Sequence, residues 1–317
     1  MNRRDFLLST AAFARLAGCK AGRSGVSTGQ GAARRAVAPK AGGRMLIGAC
    51  RPNSDAALMK SIGYDFIEGQ VAPCFVPDRG EEEWKRVRDE ILALPLPLRC
   101  CNCFLPGTFR ITGPAADFVP ALDYGERALR RAAEVGVNLI VFGSNGARTV
   151  PGDPLGVTGP KPDTEKGLVQ FTDFCRILCE RVKDLKQMEV LVEPLRPNGD
   201  NLINFVWQAA QVCEDVKSPR LKLIADLFHM MAGREHPRSL VESRALLRHC
   251  HIADYGTRNF VGERPETVCH LRPYFDALKS IGYTGGVSCE PGKGGWGNPK
   301  DIAKNLETTL KTLRGLI

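Results

Sequence analysis

Histidine is scarce in this chain of 317 residues: there are five, and all lie at or beyond position 229. A site that gathers several histidines from the first half of the fold is therefore excluded. No paired Cys-x-x-Cys pattern is present, so the twelve cysteines do not spell a structural zinc site. Long apolar runs are missing as well. The N-terminal run from Phe6 to Ala14 is too short to cross a bilayer as a stable helix. A basic surface excess is absent from most of the chain, although the formal net charge is +9. Residues 1 to 44 hold nine Lys and Arg against one acid, Asp5, a balance of +8, which leaves +1 for everything after Arg44. That remainder carries no electrostatic footprint for nucleic acid. Neither low-complexity sequence nor a short repeat is visible.

What is present begins with an address. Asn2-Arg3-Arg4-Asp5-Phe6-Leu7-Leu8 resembles a twin-arginine export signal, and Leu16-Ala17-Gly18-Cys19 resembles a bacterial lipobox, with Arg15 interrupting the apolar stretch before it. Residues 1–19 are thus expected to export the protein to the periplasm or to anchor it by lipid at Cys19. Any membrane contact is expected through that anchor alone. Residues 20–43, rich in Gly, Ala, Ser, Lys and Arg, read as a flexible linker. Cysteines in an exported protein would be expected to pair. Here Cys50, Cys250 and Cys289 lie in apolar strand contexts, which predicts mostly buried thiols acting as small hydrophobes, with at most one unassigned disulfide.

With 43% hydrophobic residues, the chain can bury the core of two ordinary domains or of one large α/β barrel. From Arg44 onward it alternates strand and helix eight times. Strands are expected at Met45–Cys50, Asp65–Gln70, Leu98–Phe104, Asn138–Ser144, Met188–Glu193, Leu221–Asp226, His249–Asp254 and Gly286–Glu290. The helices between them fall at Asp55–Ile62, Glu81–Leu94, Asp123–Val135, Thr164–Leu185, Asn201–Val216, Ser239–Leu247 and Val268–Ile281, and Pro299–Leu313 closes the chain. Eight such units in residues 44–317 predict a single (β/α)8 TIM barrel; an open doubly wound sheet accommodates them less economically.

The strand ends carry the chemistry. LKLIADLFHM, residues 221–230, is an apolar run that ends in Asp226 and reaches His229 three residues later. In a parallel barrel, polar residues gather at the C-terminal ends of strands, where the backbone leaves the core. The fifth strand ends at Glu193, the seventh carries His251, and the eighth ends at Glu290. Four consecutive strands thus bring three carboxylates and one imidazole to one rim. Carboxylates crowded this way repel unless a cation sits among them, and three oxygens with one nitrogen suit one divalent ion, Mn2+ or Mg2+ before Co2+ or Zn2+.

The motifs EPL at Glu193, ADLFHM at Asp226, HCHIAD at His251 with Arg258, and SCEP at Glu290 resemble the xylose-isomerase-like TIM barrels, the sugar isomerases and epimerases. The likeness extends through VFGSNGARTVP and YFDALKSIGYTGGVSCE. The resemblance implies that Glu193, Asp226, His251 and Glu290 hold the metal. It implies too that Glu193 and Glu290 move the proton, and that His229 and Arg258 meet a small sugar substrate, through an enediolate. A lyase or dehydratase acting on an oxidised sugar, or a non-catalytic sugar-binding barrel, remains an alternative. A phosphodiesterase of the endonuclease IV kind needs histidines from the early strands, which are lacking. Assembly into a homo-oligomer is left open.

Other residues are candidates for substrate contact. Glu68 ends the second strand, Arg148 follows a glycine-bearing turn and carries a fork suited to a carboxylate or phosphate, and Trp296 lies in a glycine-rich loop. By strand parity His249 points the same way as His251 and is expected beneath the metal site. One departure stands out: where the resembling enzymes carry a second glutamate after the first ligand, this chain has Gly199, followed by Asp200.

Overall fold

The computed structural model describes residues 43–197, 199–292 and 301–317. The expected signal at residues 1–19 and almost all of the expected linker lie outside the described residues. Eight parallel strands close on themselves in sequence order. They are β1 Leu46–Cys50, β2 Phe66–Gln70, β3 Leu98–Asn102, β4 Leu139–Phe142, β5 Glu189–Val192, β6 Leu221–Asp226, β7 Leu247–Ile252 and β8 Gly286–Cys289. The sequence expectation of a TIM barrel is met. Each strand is buried along almost its whole length, because helices cover the outer face and side chains fill the inside.

The principal core lies between barrel and helices. Helix Thr164–Arg181 is started by Asp163, whose carboxylate accepts from the Lys166 amide at 3.0 Å, one of the donors a helix start leaves unpaired. It buries Phe171 and Phe174 against Phe142 of β4, with ring centroids 5.2 and 5.9 Å apart. Helix Phe118–Glu134 is capped in the same way by Asp117 and adds the edge contact of Phe118 with Phe174. Each phenylalanine removed from water stabilises the layer by about 1.5–3 kcal/mol.

Inside the barrel the packing is of two kinds. Val141, Leu191 and Ile224, from β4, β5 and β6, form a small apolar cluster. Across from them stand Cys50, Glu68, Cys100, His249 and Ser288, all fully buried, with the rings of Phe66 and His249 lying over backbone that has no side chain. A Cβ at Gly48 would overlap the Phe66 ring, and one at Gly286 would come within 2.8 Å of His249 Nδ1. Glycine at both positions leaves the interior volume that these rings occupy.

Most expected elements recur within a few residues, and β6 matches at both ends. The sixth helix does not. Ser239–Leu247 contracts to Arg238–Glu242, and β7 starts at Leu247, two residues before His249. Three short α-helices were not expected: Val71–Phe75 after β2, Asn145–Arg148 after β4 and Leu227–Ala232 directly after β6. The eleven cysteines in the described residues are all free, nine of them buried, with Cys103 and Cys269 exposed. No helix of the described residues is long and apolar enough to cross a membrane.

Candidate metal centre at the barrel rim

Asp226 serves two purposes at once. Its Oδ1 accepts from the amides of Phe228 at 2.8 Å and His229 at 3.3 Å, which starts the helix Leu227–Ala232 and fixes the carboxylate at the top of β6. Its other oxygen faces inward. There it meets Glu193 from the end of β5, His251 of β7 and Glu290 from the end of β8; each offers one ligand atom, all within 4.8 Å of one another. His251 Nδ1 lies 3.3 Å from Glu193 Oε1 and 3.6 Å from Glu290 Oε2. The room for Glu193 comes from Gly143, where a Cβ would overlap its carboxylate.

The opposite nitrogen of His251 is already committed. Its Nε2 lies 2.8 Å from Oε1 of Glu68, which is fully buried, and the other Glu68 oxygen meets His249 Nε2 at 2.9 Å and the Cys100 thiol at 3.1 Å. An ionised carboxylate can only accept, so His251 donates from Nε2 and presents Nδ1 to the rim. Imidazoles that hold metal ions are oriented in this way. Burial pushes Glu68 up, but the charges and hydrogen bonds of His251 and His249 outweigh it and hold the carboxyl well below its ordinary range. Burial pulls His251 down, and Glu68, Glu290 and Cys50 together carry it well above the usual imidazole value. Burial, opposed by His251 but reinforced by the neighbouring Glu193, raises Glu290. For Asp226, burial is overcome by His229, Arg258 and His251, and the result is a lowered value.

The sequence that builds this closed eight-stranded barrel matches a known family. The family model described as xylose isomerase-like TIM barrel matches residues 56–313. The chain belongs to that family. No curated protein matches it significantly by sequence. Among solved structures, D-psicose 3-epimerase from Clostridium cellulolyticum H10 superposes with a TM-score of 0.71 at 16% identity, over 86% of this chain and 99% of that one. The 3-keto-D-glucoside 4-epimerase of E. coli gives 0.66 at 23% identity, over 86% and 100%. An AP endonuclease, family 2, from Brucella melitensis gives 0.62 at 20% identity, over 86% and 99%. At these identities the likeness concerns the fold.

Within this xylose isomerase-like barrel, the predicted site residues separate into groups. Glu193, Asp226, His251 and Glu290 come together, and His229 and Arg258 stand beside them. Arg258 Nη2 lies 2.8 Å from Glu290 Oε2 and 4.0 Å from Asp226 Oδ2. His229 Nε2 is 3.3 Å from Asp226 Oδ2 but out of hydrogen-bond alignment, so both of its ring nitrogens are buried without a partner. Burial lowers its pKa below the usual imidazole value. His249 lies beneath the centre, as parity predicts.

Two expectations are corrected. Glu68 does not face the rim; it is completely covered and braces His251 from below. Arg148 is also completely buried, and its fork is spent: Nε reaches Asp200 at 2.7 Å, Nη1 the Phe142 carbonyl at 3.1 Å and Nη2 the Glu193 carbonyl at 2.8 Å. It fixes the end of β5, and its complete burial keeps the fork from a substrate anion. Asp200 is consumed by the same pair and does not take the place of the glutamate missing at Gly199. Trp296 lies outside the described residues. Sequence reasoning missed Asn102, the last residue of β3, whose side-chain amide donates to Glu290 Oε1 at 2.8 Å. A polar residue ending a buried strand was the available signal.

Proposed function

We propose that this barrel is a divalent-metal-dependent sugar isomerase or epimerase, with Glu193 and Glu290 as the acid/base pair. The observation that carries the reading is the convergence of three carboxylates and one imidazole nitrogen from four consecutive strand ends, with the far nitrogen of that imidazole braced by Glu68. The donor set fits a hard or borderline cation, Mn2+ or Mg2+ first and Co2+ or Zn2+ after them, held by Glu193, Asp226, His251 Nδ1 and Glu290. Such an ion, when bound, supplies Lewis acidity to a carbonyl and its neighbouring hydroxyl. The substrates named for the two epimerases of like fold support a sugar here as well.

The side chains divide the remaining work. One glutamate takes the proton from the carbon beside the carbonyl and the other returns it, which produces epimerisation or isomerisation according to the carbon that receives it. In the metal-free barrel burial raises Glu290 above the ordinary carboxylate range. Asn102 and Arg258 hold its two oxygens, so its direction is set before substrate arrives. His229 offers one donor and one acceptor to substrate hydroxyls, which answers its two unpartnered nitrogens.

The test combines metal analysis with solvent exchange. Purified protein is expected to retain about one divalent ion, and with Mn2+ to incorporate deuterium from heavy water into at least one member of a ketose and ketose-derivative panel. No retained ion after soaking, together with no exchange across the panel, would defeat the reading. A lyase or dehydratase is the second reading, favoured by Gly199 and the commitment of Asp200 to Arg148, which remove a carboxylate from the pocket wall. Loss of water from the substrate in the same experiment would identify it. We further propose export through residues 1–19; a fusion lacking residues 1–43 should stay in the cytoplasm, and its arrival in the periplasm would contradict this.

A further inference from the structure

Two guanidinium groups share one aromatic ring beside the centre. Arg258 Cζ lies 5.3 Å from the Phe228 ring centroid and Arg196 Cζ lies 5.6 Å from it. Phe228 is buried and sits in the turn of helix that Asp226 starts, so the ring is fixed relative to the converging carboxylates. What answers each positive charge differs. Arg258 is paired with Glu290 at 2.8 Å. Arg196 is exposed, and no acidic side chain among the described residues pairs with it.

An exposed arginine alone signifies little, since water serves it well. Here a second observation points the same way. His229, next in sequence to Phe228 and with its ring centroid 5.5 Å from that of Phe228, is buried with both nitrogens unpartnered, and Arg258 Nε is buried and unpartnered too. The two unpartnered nitrogens of His229 match hydroxyl groups, while the planar fork of Arg196 matches a carboxylate or a phosphate. Arg148, the other arginine fork considered for an anion, is completely buried and bonded to Asp200 and two carbonyls.

We propose that the site takes an anionic sugar, a sugar acid or a sugar phosphate, with its charged group on Arg196 and a hydroxyl at His229. The sugar skeleton rests on the isomerase or epimerase reading above; the preference for negative charge does not. Arg196 thereby sets specificity, and a neutral ketose leaves its fork to water.

The experiment uses the full chain loaded with Mn2+ and three ligands: D-fructose, D-fructose 6-phosphate and a ketohexuronate. Binding is read by calorimetry and proton exchange by NMR in heavy water, so affinity does not depend on turnover. At least one charged ligand should bind about tenfold more tightly than fructose, as one charge-assisted fork contact allows, and the advantage should shrink with added NaCl. R196M, which keeps an apolar stem over Phe228, should cost the charged ligand about tenfold more than it costs fructose. Which of the two charged ligands gains distinguishes carboxylate from phosphate. Equal affinity for fructose, equal losses in R196M, or no binding of either charged ligand would overturn the proposal. A charge preference without deuterium exchange upholds it and counts against the isomerase or epimerase reading; exchange into fructose with no charge preference overturns it and leaves that reading standing.

Discussion

The barrel interior has two unlike halves. From β4 to β6 it is lined by Val141, Leu191 and Ile224, and from β7 round to β3 by His249, Ser288, Cys50, Glu68 and Cys100. Both halves deliver ligand atoms to the rim, but they support them differently. Glu193 and Asp226 rise from the apolar half and are held by backbone and by loop contacts: the Asp226 cap and the grip of Arg148 on the Glu193 carbonyl. His251 rises from the polar half and is held by a side chain beneath it. Carboxylates need only a direction, whereas an imidazole needs its tautomer fixed as well, and a buried acceptor does that. The buried polar layer therefore orients the single nitrogen donor among three oxygens.

The comparison can be broken or sharpened experimentally. The largest effect is expected at the rim itself. E290Q should lower deuterium exchange by about two to four orders of magnitude while leaving the fold intact by circular dichroism. An unchanged rate would remove Glu290 from proton transfer. Next comes the polar layer: E68L strands three donors, and chemical denaturation should report a loss of about 3–5 kcal/mol, with Mn2+ affinity by calorimetry down about 10- to 100-fold. In the apolar half, I224A should cost about 2–4 kcal/mol as a cavity and leave Mn2+ affinity unchanged. If I224A weakened metal binding as much as E68L, the division of labour would be wrong.

The smallest effect concerns pH in metal-free protein. The lowered Glu68 contributes stability that is complete above its unfolded value of about 4.3 and drains away as pH falls through its folded value. The raised His251 contributes stability complete below about 6.5 and lost as pH rises through its folded value. Urea midpoints should therefore decline as pH rises above about 6.5, and E68L should flatten that slope. A midpoint that climbs over this range would contradict the pairing.

The fold and the four converging residues were legible because each rests on a local pattern. An apolar run that ends in a carboxylate marks both a buried strand and its C-terminal end, as at Glu193, Asp226 and Glu290. Depth is not local. Glu68 and Asn102 both stand near strand ends, yet β2 and β3 pair Glu68 with Cys100 and Gln70 with Asn102, which sets Glu68 one layer lower. Stagger between strands decides that height, and a single strand's sequence does not contain it. Arg148 was misread for a related reason. Its partner Asp200 lies 52 residues away, so a loop arginine and a buried clamp look alike until the chain folds. The sixth helix shortened because Leu247, apolar enough for either state, joins β7 opposite Leu223.

Gly143 carries a consequence for variation. Any side chain at this position would occupy the space of the Glu193 carboxylate, and its backbone is of the ordinary kind that alanine adopts without strain. A single methyl group there is thus predicted to spoil the rim while sparing the barrel. Substitution at position 143 is therefore expected to displace the Glu193 carboxylate and leave the scaffold standing, so one featureless residue governs the rim without governing the fold.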